Sequence, residues 1–207
     1  MVTVHHLNES RSQRILSLLE ELELDYEIQC YLRDEQTRLA PPELLAIYHL
    51  GKSPVISNGA TVVHESGAII GYLVRLTGGQ LSSSLGSADY ERYLQWMHYA
   101  EGSAMLPLML KMYVGRLCDA GARLQPRIDS EIANHLGYVE KALNGVQYLV
   151  GDRFSAADVQ MSFVGEVAGA FGLRSHFSNS DAWVVRLQSR PAYKAAVNRS
   201  GPYQMGK

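Results

Sequence analysis

The chain has 207 residues, 23.0 kDa and a net charge of -2, enough for one large domain or two small ones. The near-neutral balance, with a pI near 6.4, excludes the basic surface that nucleic-acid binding requires, and the apolar runs are too short to span a bilayer. The N-terminus, MVTVHHLNES, lacks the charged and then apolar regions of a secretory signal. Cys30 and Cys118 form neither a C-x-x-C pair nor a zinc spacing, so a reducing cytoplasm is expected. The histidines show no i, i+4 pairing, and no metal is expected.

In chain order, Val2 to His6 predicts a strand, with His5 and His6 facing opposite ways. The polar turn Asn8-Glu9-Ser10 follows. Ile15, Leu18, Leu19 and Leu22 then recur at helical spacing. Tyr26 to Tyr31 reads as a second strand, and Pro42 to Ile47 as a short helix started by proline. Gly51-Lys52-Ser53 has the ending of a phosphate-binding loop. The glycine that motif needs five residues earlier is Ala46, and Pro54 blocks a helix directly after Ser53. The segment is instead an Xaa-Pro corner. Beyond it, Val55-Ile56, a turn at Asn58-Gly59 and Thr61 to Val63 predict a hairpin. A helix over Ser66 to Leu76 completes the order β-α-β-α-β-β-α.

The Gly/Ser-rich segment at residues 79–87 predicts a linker, separating an α/β domain at residues 1–78 from an all-helical domain at residues 88–207. The periodicity predicts a long helix over Tyr90 to Met112, a second over Asp129 to Leu143, and short helices on either side of Pro191. In FSAADV, Ser155 and Asp158 stand as N-cap and N3 of a capping box, with Phe154 and Val159 placed as its hydrophobic staple. That serine and aspartate are assigned to folding rather than to catalysis.

A βαβ unit followed by a hairpin and helix, with Xaa-Pro before the third strand, resembles the thioredoxin-like fold, in which that proline is cis. The segments SRSQRILSLLEELELDYEI, APPELLAIYHLGKSPVI, VVHESGAIIGYL, YLQWMHYAEGS, FSAADVQMS and RLQSRPAYKAAV, in this order and spacing, resemble bacterial and fungal cytosolic glutathione transferases across nearly the whole chain. His49 stands where members often carry proline, and Ser17 where a bulky residue, commonly tryptophan, is usual.

The resemblance implies glutathione as co-substrate, a role in detoxification and a homodimer. The attack would fall on a small hydrophobic electrophile, or a peroxide or disulfide would be reduced. A non-catalytic ligand-binding or protein-interaction module on the same fold is the alternative. Ser66, opening a helix, would bind the γ-glutamyl carboxylate beside Glu65. The backbone of Ser53, before Pro54, would pair with the glutathione cysteine. Lys52 would reach the glycyl carboxylate, and Arg11 joins this binding set. Ser10 is the first candidate for the thiolate's hydrogen-bond donor and Asn8 the second, with a helix cap as the other role open to Ser10. Met105, Met109 and Tyr113 would line the electrophile site in a cleft between the domains, or pack in a core or dimer contact. Glu101 would reach the partner subunit's glutathione.

Overall fold

The computed structural model describes residues 1–201 and 203–205. It divides into two compact units. The first comprises Met1–Ser82 together with Leu187–Met205, and the second Ser83–Arg186.

The first unit holds a four-stranded sheet in the order β2-β1-β3-β4, made of β1 (Val2–Leu7), β2 (Tyr26–Tyr31), β3 (Val55–Asn58) and β4 (Thr61–His64). β1 is central. It runs parallel to β2, with Val4 opposite Ile28, and antiparallel to β3, with Val4 opposite Ile56. Five of its six residues are buried, as expected of a strand covered on both faces. β3 and β4 form the predicted hairpin, but Asn58 pairs with Thr61, so the turn residues are Gly59-Ala60 rather than Asn58-Gly59. Gly59 takes φ +60, the left-handed conformation that glycine adopts without penalty.

Helix α1 (Ser12–Glu21) buries Ile15, Leu16, Leu18 and Leu19 and packs on β1 and on α3 (Ser66–Leu76). The short helix α2 (Glu43–Ile47) has Pro42 as its N-cap. The sheet order, its one parallel and two antiparallel pairings, and the packed helices constitute a thioredoxin-like fold.

The second unit is helical: α4 (Ala88–Tyr99), α5 (Met105–Gly115), α6 (Gln125–Ala142), α7 (Ala156–Ala170) and most of α8 (Ser178–Ser189). The long helix expected from Tyr90 to Met112 is α4 and α5 joined by a π-helical turn, Ala100–Ala104. α7 is buried along most of its length, which its small and apolar residues permit. Its start is the predicted capping box. The Asp158 carboxylate accepts from Ser155 N (2.9 Å), Ser155 Oγ (3.1 Å), Leu149 N (3.0 Å) and Trp183 Nε1 (3.0 Å).

The C-terminal segment departs from the sequence expectation, which placed everything beyond residue 88 in the helical domain. Helix α9 (Pro191–Ser200) packs on α1 of the first unit. The reason is electrostatic as well as apolar. Arg190 forms a two-pronged ion pair with Glu21 (2.5 and 2.8 Å), Arg199 pairs with Glu20 (3.0 Å) and stacks on the Tyr26 ring, and the Ser200 hydroxyl donates to Gln13.

Candidate active site

Three backbone features of the first unit present polar groups at one end of the sheet: the β1–α1 loop, the corner before β3 and the start of α3.

The β1–α1 loop is a hydrogen-bonded cluster of serines. Ser10 is 4% exposed, and its hydroxyl donates to the Leu7 carbonyl at 2.6 Å. Ser12 Oγ lies 2.8 Å from Ser10 Oγ, 2.9 Å from His6 Nδ1 and 3.3 Å from the same Leu7 carbonyl. The 2.6 Å contact must carry Ser10's only proton. Ser10 Oγ also accepts from Ser12 N at 3.2 Å, and Ser12 Oγ bridges Ser10, His6 and the Leu7 carbonyl. Burial holds the His6 pKa down at about 4, so the ring is neutral near pH 7. Asn8 Oδ1 accepts from Arg33 N at 2.8 Å, a bond in which its Nδ2 takes no part. The Arg33 side chain wraps the loop, donating to the carbonyls of Asn8 (3.1 Å), Glu9 (3.3 Å) and Arg38 (3.0 Å). Arg11 is the N-cap residue of α1, with no cap hydrogen bond from its side chain.

At the corner, the Ser53–Pro54 peptide is cis. Ser53 Oγ is 3.3 Å from the His5 carbonyl and 3.4 Å from Ser10 Oγ, so the corner and the β1–α1 loop meet. Lys52 is exposed. Gly51 takes φ +57, and a Cβ there would come within 2.9 Å of Leu45, so both conformation and space call for glycine.

At the third feature, Glu65 is exposed and adopts φ +68, an unusual conformation for a residue with a side chain. It is the N-cap of α3, and its carbonyl accepts from Ile69 N at 2.9 Å. Ser66 follows, 4% exposed. Among the described residues no group pairs with its hydroxyl. Strained backbone before a helix start, with a sheltered donor and free N–H groups behind it, is the local architecture of an anion clamp.

The structure thus joins Ser10 and Ser53 directly and sets Asn8 in the same loop. Glu65 and Ser66 open the helix that follows the β3–β4 hairpin. In the second unit Met105 is buried, Met109 is half-buried and Tyr113 is 54% exposed, all on α5. Glu101 lies in the π-helical turn. Sequence reasoning missed His6, Ser12 and Arg33. The doublet SRS and a strand ending in His-His were visible, but their pairing depends on how the loop folds back.

The model of the glutathione S-transferase N-terminal domain matches residues 10–76, and that of the C-terminal domain matches residues 103–191. Glutathione S-transferase 3 of Schizosaccharomyces pombe is 32% identical over 96% of this chain and 88% of its own length. The crystal structure of a glutathione S-transferase from Actinobacillus pleuropneumoniae superposes with a TM-score of 0.88 at 29% identity, covering 99% of this chain and 94% of the other. A glutathione transferase family member from Pseudomonas fluorescens, solved with two glutathione molecules bound, shares the fold at a TM-score of 0.80 and 23% identity, over 95% and 92% of the two chains. The order of the elements, the serine corner before β3 and these matches over both units agree: the chain belongs to the glutathione S-transferase family and is a transferase of that family.

Proposed function

We propose that this protein ionises the thiol of glutathione for attack on a small hydrophobic electrophile, or for reduction of a peroxide or disulfide. The observation that carries this reading is the start of α3. A sheltered serine hydroxyl and helix N–H groups, behind a residue held at positive φ, await a carboxylate. The γ-glutamyl carboxylate of glutathione fits that clamp, with Glu65 facing its amine. The Ser53 backbone extends to the glutathione cysteine, and Lys52 and Arg11 supply cationic groups for the remaining carboxylate and the approach to it.

The thiolate needs a donor. A free thiol has a pKa of about 8.5, and lowering it by about two units takes roughly 2.7 kcal/mol, the scale of one or two charge-assisted hydrogen bonds. Because the Ser10 hydroxyl already donates to the Leu7 carbonyl, we rank Asn8 ahead of Ser10. Asn8 Nδ2 is the donor, backed by loop N–H groups, and Ser10 holds the loop in shape. Met109 and Tyr113, accessible on α5, would meet the electrophile, with Met105 supporting them from the core. The working form is a cytoplasmic homodimer in which Glu101 approaches the partner's glutathione, and the role is detoxification.

The test is glutathione-dependent turnover of an aryl halide, a hydroperoxide and a mixed disulfide, run on wild type, Asn8→Ala and Ser10→Ala. Asn8→Ala should move the pH–rate profile to higher pH and lower turnover with little change in glutathione affinity. Ser10→Ala should cost stability and leave the profile in place. Turnover of none of the three substrates would refute the enzymatic reading.

A further inference from the structure

Glu9 sits between the two donor candidates, where an ionised carboxylate would oppose formation of a thiolate. The structure turns it away. Glu9 adopts φ +50, and its two carboxylate oxygens accept the backbone N–H groups of Gln204 (2.8 Å) and Met205 (3.2 Å), 195 and 196 residues further along the chain. The adjoining Tyr203 is buried, and α9, just before it, is fixed to α1 by the Arg190–Glu21 and Arg199–Glu20 pairs. Two successive N–H groups converging on one carboxylate form a small anion-binding concavity. This one encloses the only acidic side chain between Leu7 and Ser12. Other groups face the loop as well. The Arg33 guanidinium holds its carbonyls, and the buried His6 is neutral near pH 7.

We infer that the C-terminal tail is a latch on thiol activation: by binding the Glu9 carboxylate through the N–H groups of Gln204 and Met205, it withdraws that charge from the thiolate site. Glu9 is a positioning residue and touches no reacting atom. Engaged, the latch leaves the thiolate to its donors. Released, it frees a negative charge on the residue between the two donor candidates, Asn8 and Ser10. A like charge at close range, partly screened by solvent, raises a thiol's pKa by about one unit. The inference rests on the thiolate chemistry proposed above.

The test is a two-by-two cycle on the full-length protein and a chain ending at Gly201, each with Glu9 or with Glu9→Gln. The readout is the pKa of enzyme-bound glutathione, followed by thiolate ultraviolet absorbance. Removing the tail should raise that pKa by about one unit when Glu9 is present, and by less than about a third of a unit in the Glu9→Gln background. Equal shifts in the two backgrounds, or no shift with Glu9 present, would overturn the latch. If loss of Tyr203 unfolds the short chain, Gln204→Pro with Met205→Pro deletes both N–H donors while keeping the buried tyrosine, and the same two outcomes apply. A full-length protein that shows no bound thiolate at any pH contradicts the underlying function instead, so the two failures are told apart.

Discussion

Helices α7 and α3 each have a serine at their start, Ser155 as the N-cap of α7 and Ser66 as the first residue of α3, and the two starts have opposite chemistry. At the start of α7, the chain itself fills every polar role. Asp158 is fully buried and takes four hydrogen bonds, one from the indole of Trp183 and one from the backbone of Leu149. Burial pushes its carboxyl above the usual carboxylate range against those bonds, so its surroundings are committed to one arrangement. At the start of α3, the serine hydroxyl is sheltered without a partner among the described residues, behind a residue at φ +68. A polar group that the fold satisfies serves the fold. One that the fold shelters and leaves unpaired is built for something that arrives later. The start of α1 is a third case. Its serines and His6 bond among themselves, so it resembles α7 despite lying in the candidate active site.

The largest effect should come from breaking the satisfied cluster. Asp158→Ala leaves the N–H groups of Leu149, Ser155 and Trp183 buried without acceptors. Stability should fall by about 4 kcal/mol, measured by denaturant unfolding. Glutathione affinity of the folded fraction should stay unchanged, because the cluster lies wholly in the helical unit. A substantial change in affinity with little loss of stability would reverse the roles assigned to the two helix starts.

The α1 start should give the next largest effect, and a pH-dependent one. Burial lowers the His6 pKa to about 4 from an ordinary 6.5, so the unfolded chain takes up a proton at a pH where the folded chain does not. The stabilisation from keeping His6 neutral is present above about pH 6.5 and is lost as pH falls toward 4. The loss is roughly 3 kcal/mol on the usual conversion. His6→Asn keeps a donor near the Nδ1 position and cannot take up a proton, so it should flatten that part of the stability–pH curve. An unchanged slope would mean that some other group titrates there.

How much of this was legible in the sequence depended on how local each determinant was. The capping box spans four residues and could be read directly. The strand pattern, the Ser53-Pro54 corner and the opening of α3 at Ser66 are also set by near neighbours, and the structure has them where the sequence puts them. Even the hairpin was displaced only at its turn, which moves one residue along the chain because Asn58 joins the first strand and pairs with Thr61. The α9 contacts with α1 and the Glu9 contact with the tail join residues more than 160 positions apart, and no periodicity carries such information. The hydrogen bond from the Ser10 hydroxyl to the Leu7 carbonyl, on which our preference for Asn8 as donor rests, was likewise hidden, because it depends on how the loop folds rather than on residue identity.

The unsatisfied start of α3 should show the smallest free-energy change, confined to binding. Ser66→Ala removes a hydroxyl that has no partner among the described residues, so folding stability should move by less than about 0.5 kcal/mol, as for substitutions that break no named interaction. With glutathione bound, the expected loss is larger. The lost bond is to a charged carboxylate, and such bonds contribute about 1–3 kcal/mol, so calorimetry should find affinity weakened by roughly five- to 150-fold. Helix α3 keeps its free N–H groups and its dipole, so binding should be reduced without being abolished. Asp158→Ala should show the inverse pattern, a large loss of stability at constant affinity, and measuring both variants by both methods makes the contrast quantitative. If Ser66→Ala instead destabilises the fold by as much as a lost helix cap, about 1 kcal/mol, while glutathione binds as before, then Ser66 is a cap like Ser155 and the two helix starts do not differ in kind.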